Sequence, residues 1–339
     1  MLSWAEIRSF ARVTALCGTF GPLLAGMGSV GPEASSPSAA TVAVVLGVGL
    51  AFHVYAYVLN DVVDLPIDRT EPRRAEFPLV TGRVGRVQAL AVALTGALIG
   101  LGLAALHRAD ASMGVLAAAY GAMAVYDVWG KRSAIPFLTD LVQGLSWAAL
   151  LWWGALAAGR PSAMTGWLAG SMVVFILLAN GVHGSLRDLD NDLRCGARST
   201  AIVLGARPLP GGGVTTSPRL TAYAAALHTL VVLSVVAAVV TDPRSSGITV
   251  LAVGAVAVVA TALARRAWDA RGDGWLMRRL GMLHLALLLL LPLVAVAQHL
   301  SAALVVVLLV GVIAPIAANS WLPAALRSVL PARARGVAP

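Results

Sequence analysis

Two clusters of aspartates are the part of this sequence best suited to chemistry. The first lies in residues 60–68, which read NDVVDLPID, and the second lies in residues 187–192, which read RDLDND. Because residues four positions apart share one face of a helix, each cluster presents stacked carboxylates. The residues on these faces are Asn60, Asp64 and Asp68, with Asp61 beside them, and Asp188 and Asp192 in the second cluster, where Asp190 points away.

Stacked carboxylates next to an apolar segment repel each other unless cations neutralise them. Hard oxygen ligands select Mg²⁺ or Ca²⁺, and Mg²⁺ typically takes one or two carboxylates together with water and substrate phosphate oxygens. The clusters therefore predict a diphosphate held through Mg²⁺, with arginines making bidentate contacts to other phosphate oxygens. The arginines near the clusters are Arg69, Arg73, Arg187 and Arg198. The alternative, ordinary acidic residues at a membrane surface, does not explain the repeated four-residue spacing.

Long apolar segments must position these clusters. Of the 339 residues, 58% are hydrophobic and 12% are charged, whereas about a quarter are charged in a typical soluble domain. Because about 20 apolar residues span a bilayer as a helix, we predict an all-α polytopic membrane bundle of nine or ten helices, forming one domain over residues 1–339. A flexible loop is predicted at about 205–218. The candidate spans lie near 12–31, 40–60, 87–106, 111–126, 135–158, 163–185, 219–240, 246–264, 280–298 and 302–322, the last being an extra C-terminal span.

The distribution of basic residues predicts the orientation in the membrane. Nearly all of the 25 lysines and arginines fall in alternate connections, on the side of both aspartate clusters, and the exceptions are Arg108, Arg160 and Arg244. The richer side is expected to face the cytoplasm of a cell membrane. The net charge of +9 thus indicates topology, and the absence of a basic domain with interleaved stacking residues argues against nucleic-acid binding. The arginine-rich composition with one lysine suggests a bacterial source.

With these motifs, the sequence resembles the UbiA superfamily of intramembrane prenyltransferases. Residues 60–68 match the family's first signature, Asn-Asp-x-x-Asp-x-x-x-Asp, at every defined position. Residues 188–200 are similar to its second signature, and residues 126–132 are similar to its intervening Tyr…Lys-Arg element. Many members carry Asn just before the second signature, where this chain has His183 and Gly184.

The resemblance implies a helical bundle with a central cavity, in which Mg²⁺ ions bridge aspartates to a prenyl diphosphate. The implied bridging residues are Asp64, Asp68, Asp188 and Asp192, with Asn60 and Asp61 completing or orienting the coordination. The side chains expected to hold the diphosphate are Lys131, Arg132 and Arg198, together with Arg69, Arg73 and Arg187. The allylic cation formed on ionisation needs a dry site and an aromatic face to steady it. The candidates are Phe52, Tyr55, Tyr120, Tyr126, Trp147 and Phe175, of which Tyr126 is the strongest because it matches the family element.

Three functions remain open at this point. The first is Mg²⁺-dependent transfer of a prenyl group to an acceptor, most often an aromatic ring in this family and otherwise a lipid, with release of diphosphate. The second is a UbiA-type terpene cyclase, in which the substrate's own double bonds capture the cation. The third is a transporter with carboxylates on its ion path. A transporter does not require the first signature with its arginines, and a cyclase does not require an acceptor pocket.

Overall fold

The protein is an all-α, multi-pass membrane bundle. The computed structural model describes residues 7, 10–33, 36–210, 213–301 and 304–306. The helices are α1 (Leu16–Gly28), α2 (Ala39–Asp68), α3 (Arg86–His107), α4 (Ser112–Trp129), α5 (Pro136–Ala158), α6 (Ala163–Leu178), α7 (Ser185–Arg187), α8 (Leu189–Arg194), α9 (Thr200–Val203), α10 (Pro218–Thr241), α11 (Gly247–Asp269) and α12 (Gly274–Val296). Two short strands, β1 (Arg207–Pro208) and β2 (Val214–Thr215), pair antiparallel within the loop predicted at 205–218.

Nine of the ten predicted spans contain a helix in the structure. Within the described residues, seven helical segments are long and apolar enough to cross a membrane, and α1 is a shorter apolar helix. The segment that contains α6 continues without interruption from Ala163 to Arg187. The predicted tenth span, 302–322, lies almost wholly outside the described residues.

The helices pack around α1, which contacts α2, α5 and α12. Helix α2 packs along α3 and also contacts α4, and α4 packs along α5. Helix α6 lies between α5 and α10, while α11 packs mainly along α12 and more loosely on α10. The two aspartate clusters therefore sit on helices from opposite halves of the sequence, one on α2 and one after α6.

Glycines allow α1 and α5 to approach each other closely. A Cβ atom on Gly26 of α1 would collide with the carbonyl oxygen of Leu151. A Cβ atom on Gly154 of α5 would lie 2.5 Å from the carbonyl oxygen of Leu23. Both obstacles are backbone atoms, which cannot rotate away as the end of a side chain can. Small residues at such crossings let membrane helices gain packing energy through close backbone contact.

We expect Gly154→Ala to destabilise the protein, because the added methyl group must push α1 and α5 apart. Overpacking of this kind typically costs about 1–3 kcal/mol, which a lowered thermal unfolding midpoint of the detergent-solubilised protein would report. Gly170→Ala on α6 is the matched control, since a Cβ there meets nothing within 4 Å. Equal midpoints for the two variants would show that the close approach is not required.

Two local features bring the aspartate clusters into position. Helix α2 continues through Pro66 to Asp68, so the whole first cluster remains helical. After α6, residues Ala179–Gly184 form a π-helical turn, and the helix is interrupted at Asp188 between α7 and α8. A π-helical turn inserts an extra residue and redirects the side chains that follow, which is frequent at functional sites.

Candidate active site

The first cluster lies at the end of α2 and is linked to α4 by an amide. Asn60 Nδ2 is 3.4 Å from Asp64 Oδ2 and 3.3 Å from Asp127 Oδ1, so it donates to carboxylates on two helices. Asp61 and Asp68 are buried, and Asp64 is partly buried. Asp127 follows Tyr126 in the Tyr…Lys-Arg element and was not predicted as a site residue. Its position next to Tyr126 in that element was the available signal.

Asp61 is held by two arginines from outside α2. Its Oδ1 accepts from Arg12 and, at 3.0 Å, from Arg74 Nη1. Arg74 Nη1 is also 3.2 Å from Asp68 Oδ2, so this guanidinium bridges two members of the cluster. The left-handed backbone of Arg12, with φ of 44°, turns its side chain toward the cluster. Neither Arg12 nor Arg74 was predicted as a site residue, although Arg74 directly follows the predicted Arg73.

We expect Arg74→Met to lower the stability of the protein. Asp61 is fully buried, and removing one of its two cations leaves a buried negative charge that is only partly neutralised. Breaking a buried ion pair can cost about 3–5 kcal/mol, and the remaining Arg12 should reduce that loss. Thermal unfolding would measure it, with exposed Arg86→Met as the control. The double variant Arg74→Met/Asp61→Asn should recover part of the loss, and failure to recover would contradict the charge explanation.

The second cluster is split between exposed and buried carboxylates. Asp188 lies at the helix interruption, where Arg187 Nε donates to its Oδ1 at 3.0 Å and Arg187 Nη2 to its Oδ2 at 2.8 Å. Asp192 is buried, whereas Asp190 is exposed. This matches the expectation that Asp190 points away from the other two aspartates.

The loop after α2 joins the two clusters. Arg73 Nη2 is 3.2 Å from Asp188 Oδ1, and Arg73 also donates to Glu71. The hydrogen bond from Arg73 lowers the pKa of Glu71, so this carboxylate is charged at neutral pH. Thr70 Oγ1 donates to Asn191 Oδ1 at 3.0 Å. These contacts place the end of the first cluster directly against the second.

A buried polar network lies beside the second cluster. Asn180, in the π-helical turn, donates to the phenol oxygen of Tyr126 and to Asp140 Oδ1, both at 2.8 Å. Asp140 Oδ2 accepts from Thr200 Oγ1 at 2.5 Å. The network fixes the ring of Tyr126 from α5, α6 and α9 at once. Asp140 and Asn180 were not predicted, since each is a single polar residue within an apolar segment.

The predicted diphosphate-binding residues are placed unequally. Arg198 lines a small polar cavity together with Tyr126, Asp188 and Asp192. Arg132 instead donates to the carbonyl oxygen of Val128 in its own helix, at 3.3 Å. Arg69 is exposed at the end of α2. The side chain of Lys131 lies outside the described part of the chain.

The polar cavity is about 50 Å³, which is room for a few water molecules and not for a prenyl diphosphate. Among the described residues, no three His, Cys, Asp or Glu side chains are close enough together to hold a metal ion. The available donors are nevertheless hard carboxylate and amide oxygens, which suit Mg²⁺. Asp61 Oδ2 and Asp127 Oδ2 are buried and accept no hydrogen bond from any described residue. The donor set therefore fits a divalent cation, provided that the ion pairs rearrange.

The chain is similar in sequence to several known proteins. The sequence profile of the UbiA prenyltransferase family matches residues 19–276. A digeranylgeranylglyceryl phosphate synthase of Thermococcus gammatolerans is 30% identical over 210 residues, which cover 60% of this chain and 71% of that protein. A 4-hydroxybenzoate octaprenyltransferase of Haemophilus ducreyi is 29% identical over 163 residues, which cover 47% of this chain and 56% of that protein.

The fold is also similar to that of a solved structure. The structure of a UbiA homolog from Archaeoglobus fulgidus bound to GPP and Mg²⁺ superimposes with a TM-score of 0.61 at 15% identity. The match covers 86% of this chain and 99% of that one. At this level of identity, the similarity concerns the arrangement of the helices.

Proposed function

The chain belongs to the UbiA prenyltransferase family and is a membrane prenyltransferase, and from this premise we propose that it transfers a prenyl group from a prenyl diphosphate to an aromatic acceptor in a Mg²⁺-dependent reaction that releases diphosphate. The observation that carries the proposal is the contact between the two aspartate clusters through Arg73 and Asp188. Carboxylates and guanidinium groups converge there from both halves of the sequence. This is the donor set that a metal-bound diphosphate needs.

The aspartates and Asn60 provide the proposed metal site. The residues in this role are Asp64 and Asp68 from α2, Asp188 and Asp192 from the second cluster, and Asn60 and Asp61 at the start of the first cluster. Bound Mg²⁺ would neutralise the charge that grows on the diphosphate as its bond to the allylic carbon breaks. The structure of the Archaeoglobus fulgidus homolog bound to GPP and Mg²⁺ supports the use of a divalent metal with a prenyl diphosphate.

The arginines provide a second source of positive charge. Arg73 and Arg187 bind Asp188 in the structure, and both are about half exposed, so they can turn toward an incoming diphosphate. An exchange of partners from carboxylate to phosphate would free Asp188 for the metal and open the small polar cavity. Arg198 already lines that cavity, and Arg69, Arg132 and Lys131 lie on the same side of the bundle, which we propose to be cytoplasmic.

Tyr126 is proposed to face the allylic group during the reaction. Asn180 holds its phenol oxygen, and Asp140 holds Asn180 in turn. A fixed aromatic ring can steady the allylic cation through its face without trapping it. The acceptor ring then supplies the electron pair that forms the new bond to the allylic carbon, and the ring proton that this substitution displaces is taken up by the released diphosphate.

A single incubation tests transfer against cyclisation. We expect purified protein with Mg²⁺ and prenyl diphosphates of several lengths to release little diphosphate until an aromatic acid or a membrane extract is added. Heat-denatured protein is the control for spontaneous hydrolysis. Rapid release without an acceptor, together with a cyclic hydrocarbon or alcohol, would overturn the transfer proposal and establish a cyclase.

A further inference from the structure

A chain of three histidines lies away from the aspartate clusters, between α6, α10, α11 and α12. His228 Nε2 is 2.9 Å from Thr261 Oγ1, and His228 Nδ1 is 3.0 Å from His284 Nε2. His284 Nδ1 is in turn 3.3 Å from His183 Nε2. This row of hydrogen bonds thus connects side chains from four different helix segments.

The protons of this chain can be assigned from one end. Thr261 Oγ1 donates to the carbonyl oxygen of Ala257 at 2.8 Å, so it accepts the proton of His228 Nε2. His228 Nδ1 then accepts from His284 Nε2, and His284 Nδ1 accepts from His183 Nε2. His228 and His284 are consequently neutral, each with one protonated ring nitrogen, and every shared proton points toward Thr261. Each ring can still move its proton to the other nitrogen. The histidine chain can therefore offer a ligand either a hydrogen-bond donor or an acceptor.

The histidines line a cavity of about 410 Å³. This volume falls within the range of about 300–1,000 Å³ that is typical of sites for small molecules. A set of hydrogen bonds that only tied four helices together would not need such a space beside it. The rest of the lining combines apolar residues, which include Leu178, Ala224 and Ala264, with threonines and with the exposed, charged Arg265 and Asp269. A concave space with apolar walls and a few convergent polar groups is the usual form of a ligand site.

The residues on the wall of the cavity indicate the route by which a ligand enters and the shape of ligand that fits. Ala225 and Thr229 of α10 line the cavity and are exposed, so it opens laterally where α10 packs loosely on α11. A lateral opening in a membrane bundle admits molecules that partition into lipid. Trp268 presents an indole ring to the cavity, held by a hydrogen bond from its Nε1 to Thr221 Oγ1 at 3.2 Å. A flat, immobilised ring favours a planar aromatic partner.

From these features we propose that the cavity is a second ligand site, which binds an aromatic compound carrying a ring oxygen, such as a phenol. The imidazole chain lines one side of the cavity. Its adjustable protons match an oxygen that donates as a hydroxyl or accepts as a carbonyl. The site rests on its own residues and stands independently of the proposed transfer reaction, because the π-helical turn separates it from the polar cavity near Asp188.

Binding of 2-naphthol to the full chain in lipid nanodiscs tests this site. Its fluorescence can be titrated directly, with empty nanodiscs as the correction for uptake by lipid. We expect saturable binding at least tenfold tighter than that of naphthalene, which lacks the oxygen. Thr261→Val should weaken binding by about fivefold, since one hydrogen bond is worth about 1 kcal/mol. Equal binding of naphthalene would overturn the proposal and indicate an apolar cleft filled by lipid.

Two cavity-filling variants make the test independent of any single substitution. Ala264→Leu and Ala225→Leu fill the space from α11 and α10, and each should abolish saturable binding of 2-naphthol. Ala262→Leu is the matched control, because Ala262 is exposed on α11 and does not line the cavity. Elution as a monodisperse species would show which variants are folded. Normal binding by both folded filling variants would overturn the proposal.

Discussion

Asp188→Ala should reduce diphosphate release on the order of 10³-fold while leaving the protein folded in the membrane. The carboxylate belongs to the proposed metal site, and removing one preorganised electrostatic contact in a catalytic site typically costs 10²–10³-fold in rate. Folding should survive because the partners of Asp188 are two arginines that are about half exposed. Release of diphosphate from a prenyl diphosphate with Mg²⁺ and acceptor measures the effect directly.

Two further variants make this result specific. Asp64→Ala, on the opposite helix, should cause a loss of similar size because the two clusters act together. Asp190→Ala is the matched control, since this exposed aspartate lies two residues from Asp188 and should leave turnover within about twofold. Near-normal turnover in either Asp188→Ala or Asp64→Ala would mean that the assignment of metal ligands is wrong.

Regular patterns made most of the architecture predictable. Nine of the predicted apolar segments contain a helix, and among the described residues seven helical segments are long and apolar enough to cross a membrane, because hydrophobic length determines whether a helix can span it. The spacing of the first cluster also fixed which carboxylates share the end of α2. The structure brings this end against α8 through the contact between Thr70 and Asn191, so residues more than a hundred positions apart meet at one site.

The partners of the site residues were not predictable in the same way. Arg12 and Arg74 neutralise Asp61, and Asn180 orients Tyr126, but these contacts depend on how separate segments pack. The π-helical turn at Ala179–Gly184 is equally invisible, because its sequence reads as an ordinary continuation of α6. Arg132 illustrates the reverse case, since it belongs to a motif and yet bonds to its own helix in this structure. Motifs identify reactive side chains, and packing decides how those side chains are held.

Removal of the metal is expected to have the second large effect on diphosphate release. The reason is that arginines already bind carboxylates in both aspartate clusters. With Asp61 bound by Arg12 and Arg74, and Asp188 bound by Arg73 and Arg187, the carboxylates are already neutralised. Mg²⁺ alone must displace these cations and should bind weakly. A prenyl diphosphate supplies its own oxygen donors and attracts the arginines, so metal and diphosphate should bind cooperatively.

We therefore expect EDTA to abolish diphosphate release completely and added Mg²⁺ to restore it. The same argument predicts a thermal signature: geranyl diphosphate with Mg²⁺ should raise the unfolding midpoint, whereas either compound alone should change it little, because stabilisation follows the occupancy of the folded state. Asp188→Ala provides the control, since it should lose the joint stabilisation. Turnover that persists in EDTA would exclude the metal-dependent reaction, and full stabilisation by Mg²⁺ alone would show that the arginines do not compete with the metal for the carboxylates.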